Sequence, residues 1–85
     1  MTVTTPDWLK LHGGELHLGK DGRSASVYFA GQLQYVLVPL PAKGKFACRV
    51  SETINGKRLD GTGTYASAED ALRGGLEDLR QALGW

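Results

Sequence analysis

The chain has 85 residues, 41% hydrophobic and 22% charged, which are ordinary values for one soluble globular domain with a thin core. A net charge of +1 supplies no global field to draw in nucleic acid or membrane, and a chain this short has no room for both a core and a deep catalytic cavity. The single cysteine, Cys48, excludes an internal disulfide and a cysteine-rich metal site and fits a cytoplasmic location. The first residues lack the basic and apolar runs of a signal peptide, and no stretch is long enough for a membrane span.

In chain order, residues 1–14 form an arm or a short helix. Thr5 suits an N-cap, Pro6 the first helical position and Gly13 the stop. An irregular arm anchored by Trp8 is the alternative. Residues 15–65 read as an antiparallel sheet. From Glu15 to Gly19 the side chains alternate, with Leu16 and Leu18 on one face, and Asp21–Gly22 is a hairpin-type turn. Ser24 to Ala30 resumes the alternation through Ala25, Val27 and Phe29, and Gly31 permits another turn. Leu33–Val38 has only Gln34 as a polar residue, the pattern of a strand covered on both faces. Pro39-Leu40-Pro41 is expected to end it.

Lys45 to Ile54 follows as a strand with Phe46, Cys48 and Val50 facing in, and Asn55–Gly56 is the strongest hairpin signal in the chain. A two-residue loop there sets Val50 opposite Gly61, Cys48 opposite Gly63 and Phe46 opposite Tyr65. Residues 67–83 are a helix. Leu72, Leu76, Leu79 and Leu83 form one stripe, with Gly75 beside them for close packing on the sheet. Ser67 caps its start, Glu69 and Asp70 suit the positive end of its dipole, and Gly84 ends it, with Trp85 free to fold back near Leu79. The fold class is therefore α+β: an antiparallel meander of four or five strands in one domain, with a C-terminal helix on one face.

Chemistry is sparse. His12 and His17, near Asp7 and Glu15, match no ligand spacing, so no metal is expected. Cys48 reads as a buried inert thiol. Gly61-Thr62-Gly63-Thr64 lacks the lysine and spacing of a phosphate loop, and no catalytic residues or cofactor site emerge. The expectation is a non-enzymatic binding module.

The cations are the exception. Between Leu40 and Asp60, five cations (Lys43, Lys45, Arg49, Lys57 and Arg58) face two carboxylates, while the helix carries four acids against two arginines. By the register above, Lys45, Arg49 and Arg58 fall on the sheet face away from the helix, and the five form a candidate nucleic-acid site. The alternative partner is a protein or a second copy of the chain, bound through Leu33–Val38.

Three strings, Gly44-Lys45-Phe46-Ala47-Cys48-Arg49-Val50, Asn55-Gly56-Lys57-Arg58-Leu59 and Gly63-Thr64-Tyr65-Ala66-Ser67-Ala68-Glu69-Asp70-Ala71, extend the picture. With them, Tyr35–Leu83 resembles the three-strand-plus-helix DNA-binding domain of plant ethylene-response (APETALA-type) factors and the arm-binding domains of phage integrases. The strand-to-helix junction is also similar to that of HicB-type antitoxins. The first resemblance implies DNA contact through the sheet, and residue matching carries over Lys45, Arg49 and Arg58. Two features depart from that pattern: Tyr35-Val36-Leu37-Val38-Pro39 has no arginine, and Phe46 stands at the tryptophan position.

Overall fold

The computed structural model describes residues 3–20 and 23–85. The elements run α1 (Asp7–Leu11), β1 (Gly14–Leu18), β2 (Ala25–Phe29), β3 (Gln32–Ala42), β4 (Lys45–Glu52) and α2 (Ala68–Leu83). The four strands pair in sequence order as an antiparallel meander. Two tight turns set that order. Ala30–Gly31 (φ 53° and 78°) joins β2 to β3, and Lys43–Gly44 (φ 50° and 80°) joins β3 to β4. Positive φ at both residues marks the type I′ turn, whose twist matches the strands it connects. The Asp21–Gly22 turn lies outside the described residues. The chain around it is closed by the Gly19 amide donating to the Ser24 carbonyl at 2.7 Å.

β3 does not stop at Pro39-Leu40-Pro41 as expected, but runs through both prolines to Ala42. Its pairing with β2 ends at Leu37↔Ala25, so beyond that point β3 has a neighbour only on the β4 side. Counting back from the Ala42↔Lys45 pair that closes the turn, Pro39 and Pro41 occupy positions that send no N–H toward β4. The missing donors therefore face the open edge, where proline is tolerated.

The return from β4 is also not a fifth strand. Glu52 donates to the Lys57 carbonyl and Gly56 to the Glu52 carbonyl, both at 2.9 Å, so the loop holds Thr53 to Gly56 rather than Asn55–Gly56 alone. Thr53 is held to the start of β3: its N–H donates to Gln34 and its hydroxyl to Leu33, both at 2.9 Å. Gln34 is the residue left unpaired by the β2–β3 bulge. Phe46 does pair with Tyr65, but the segment between bows out, with Ser51↔Arg58 as its one other bridge to β4 among the described residues. The Val50 N–H turns to the Asp60 carboxylate (3.3 Å) and the Gly61 N–H to Asp78 (2.9 Å). Gly61 and Gly63 thus do not lie opposite Val50 and Cys48.

The α2 ends form as expected. The Ser67 hydroxyl accepts from the Asp70 N–H at 3.1 Å, and Gly84 is left-handed at φ 75°. Ala71, Leu72, Gly75, Leu76 and Leu79 are buried against Leu37, Cys48 and Val50. α1 differs in detail, since Pro6 is its N-cap residue and Thr5 does not cap it. The Thr5 hydroxyl instead accepts from the Leu16 N–H on the free edge of β1, at 3.3 Å. Leu9 is fully buried in the same core as Leu72 and Leu79, which places α1 on the α2 side of the sheet. Trp85 folds back onto α1 rather than onto Leu79: it stacks on His12 at 3.8 Å and meets Trp8 at 6.1 Å.

Candidate binding face

Period-two alternation decides which side chains lie away from α2. With Leu16, Val27, Leu37, Cys48 and Val50 in the core, the outward residues are Glu15 and His17 on β1, Ser26 and Tyr28 on β2, Leu33, Val36, Val38 and Leu40 on β3, and Lys45, Ala47, Arg49 and Ser51 on β4. Within the chain, β3 is not covered on both faces among the described residues. The N-terminal arm packs on the helix side through Leu9, and Val36, Val38 and Leu40 are half-buried rather than buried.

The five candidate cations do not form one group. Lys45 and Arg49 share the outward face, four residues and so about 13 Å apart along β4. Lys43 sits at the tip of the adjoining turn, held there by its positive φ. Lys57 and Arg58 lie at the other end of β4, opposite Glu52 and Ser51 and roughly 20 Å from Lys45. Arg58 is also committed. Its guanidinium makes two bonds to Asp60, at 2.7 and 3.0 Å, and holds that carboxyl below the usual aspartate range. Hence Arg58, one of the three residues carried over by resemblance, is neutralised by a neighbour two positions away.

The meander supplies a cation that the linear pattern did not group with the others. The β1–β2 connection and the β3–β4 turn lie at the same end of the sheet, so the exposed Lys20 stands on the same half as Lys43 and Lys45, across the sheet and short of the protruding β3–β4 turn. Strand order was the missing signal, since 23 residues separate Lys20 from Lys43. Among the described residues, Lys20, Lys43, Lys45 and Arg49 have no carboxylate within ion-pair distance. The one outward carboxylate on the strands, Glu15, is 3.1 Å from the His17 ring.

The other features carry little chemistry. Burial, with Asp78 and Asp60 nearby, pushes the Cys48 thiol up to about 12, so it holds almost no thiolate near neutral pH. No group of three metal-ligating side chains occurs among the described residues, and no helix there is long and apolar enough to cross a membrane. An open depression of about 290 Å³ separates the arm from α2, lined by Val3, Pro6, Trp8 and Leu76. The charged residues beside it are already engaged, Arg73 with Glu69 and Asp70 and Glu77 with Arg80. Comparison with protein-family models, with curated proteins and with solved structures finds no match.

Proposed function

We propose that this chain is a non-enzymatic nucleic-acid-binding module whose contact surface is the sheet face away from α2. The observation that carries the reading is the set Lys20, Lys43, Lys45 and Arg49, spread over the half of the open sheet that ends in the β3–β4 turn and unmatched by carboxylates among the described residues. Unpaired lysine and arginine attract phosphate by releasing its condensed counterions, a term independent of sequence and strongest at low salt. The acids Glu69, Asp70, Glu77 and Asp78 lie on α2, across the sheet from this face. The resemblance of Tyr35–Leu83 to sheet-reading DNA-binding domains supports the same face.

The test is fluorescence anisotropy with labelled nucleic acid at about 50 mM salt. Binding is expected, with log K falling against log salt at a slope of about −2 to −4 for three or four phosphate contacts. Lys45→Glu with Arg49→Glu should abolish it, whereas Arg58→Glu should change it little. Binding that survives the double substitution would refute the site. A second reading, a protein-interaction face, is favoured by the half-buried row Val36, Val38 and Leu40, since contiguous apolar surface marks many protein interfaces. Absence of any nucleic-acid binding at low salt would leave that reading in place.

A further inference from the structure

We infer that the nucleic acid this face takes is single-stranded, with bases lying on the sheet and phosphates on its cationic half; the inference rests on the nucleic-acid reading above. The reason lies in what the middle of the face displays. Reading a duplex through its major groove requires side-chain donors and acceptors aimed at base edges. The central strand instead offers Val36, Val38 and Leu40, flanked by Ala47, none of which can hydrogen-bond a base edge. Side chains on this face that could read a base edge, such as Ser26, Ser51, Lys45 and Arg49, stand at its margins, so its apolar middle offers a duplex little.

A single strand presents unstacked base faces, which bind rings and apolar side chains without regard to sequence. The face carries such a platform. His17 on β1 and Tyr28 on β2 both point outward, with ring centroids 4.7 Å apart and planes tilted by 57°. The His17 side chain is 57% exposed. Tyr28 and Arg49 are separated by two strand spacings across the sheet and about four residues along it, roughly 15–20 Å. Val36 and Val38 lie between them. A strand laid along this diagonal stacks at Tyr28 and His17, crosses the aliphatic row and meets cations at Arg49, Lys45 and Lys43. The other large aromatics, Trp8, Phe29, Tyr35, Phe46, Tyr65 and Trp85, belong to the helix side and are not offered to a ligand on this face. The geometry does not choose between ribose and deoxyribose, because stacking and phosphate contacts are common to both.

The experiment measures anisotropy of labelled 12-mers of deoxythymidine and of uridine and of a mixed-sequence 12-base-pair duplex, with the full chain at about 50 mM salt. At least one single strand should bind ten-fold or more tightly than the duplex. Tyr28→Ala should weaken that binding by roughly 5- to 100-fold, the range for loss of one stacked base, while Tyr28→Phe retains it. Circular dichroism of Tyr28→Ala establishes that the fold persists, and the intact chain's own preference between strand and duplex decides the matter if it does not. Duplex binding equal to or tighter than both single strands overturns the single-strand inference and leaves nucleic-acid binding standing. Binding to none of the three overturns both and points to the protein-interaction reading.

Discussion

Gly75 is the position where the closure of the sheet by α2 is most exposed to test. It is buried on the helix face toward the sheet, and a methyl group built on its Cα would press against the Cys48 Sγ, with the Cys48 Cβ at 3.0 Å and a Leu37 methyl at 3.2 Å. Two effects oppose each other in Gly75→Ala. Helix propensity favours alanine by about 1 kcal/mol. Overpacking a close-packed core costs roughly 1–3 kcal/mol. The overpacking is expected to win, because Leu37 is fully buried and Cys48 nearly so, leaving neither room to retreat. The net destabilisation is then about 1 kcal/mol, which for a domain of this size lowers Tm by roughly 4–8 °C. Urea unfolding followed by circular dichroism measures it. Cys48→Ala in the Gly75→Ala background removes the sulfur in the way, so the double variant should be more stable than the two separate losses would sum to. A Gly75→Ala protein stabilised by the full helix-propensity gain would refute the close contact.

Two further predictions concern titratable groups. The folded-state pKa of Asp60 is depressed, chiefly by the Arg58 hydrogen bonds, so its contribution is complete above the unfolded aspartate value near about 4 and fades as pH falls through the lower folded value. Asp60→Asn should therefore flatten the stability profile below about pH 4, as read by urea midpoints at a series of pH values; an unchanged acid limb would show that the pair adds nothing. With its thiol pushed up to about 12, Cys48 should be alkylated by iodoacetamide at pH 8 roughly a thousandfold more slowly than an unfolded-peptide thiol of pKa about 8.5, and at the peptide rate in urea. Equal rates in the folded and unfolded protein would contradict its burial.

The helix was the most legible element because its determinants are local. A serine cap, acids in the first turn, leucines at helical spacing and a terminal glycine each act within a few residues, and all recur in the structure. The Asn55–Gly56 turn was misplaced for the opposite reason: Thr53, two residues upstream, is fixed by hydrogen bonds to the start of β3, 20 positions away in sequence. The spread of the candidate site was already legible, because a hairpin turning at Asn55–Gly56 sets Lys57 opposite Ile54, nine residues along the strand from Lys45. What the sequence did not reveal is that Arg58 is taken by Asp60 two positions on, since either side chain could have pointed elsewhere.

By itself, the sequence determined the alternation of the strands, the amphipathic helix with its ends, and which β4 side chains face away from the core, since each follows from dihedral preference and side-chain periodicity. Only the tertiary structure decided that β3 could run through two prolines, because that depends on where β2 stops pairing. It alone placed α1 on the helix side, leaving Val36, Val38 and Leu40 uncovered among the described residues. It also brought Lys20 to the half of the sheet that carries Lys43 and Lys45. Those outcomes turn on strand order and on which face each segment lands, and side-chain periodicity within a segment specifies neither.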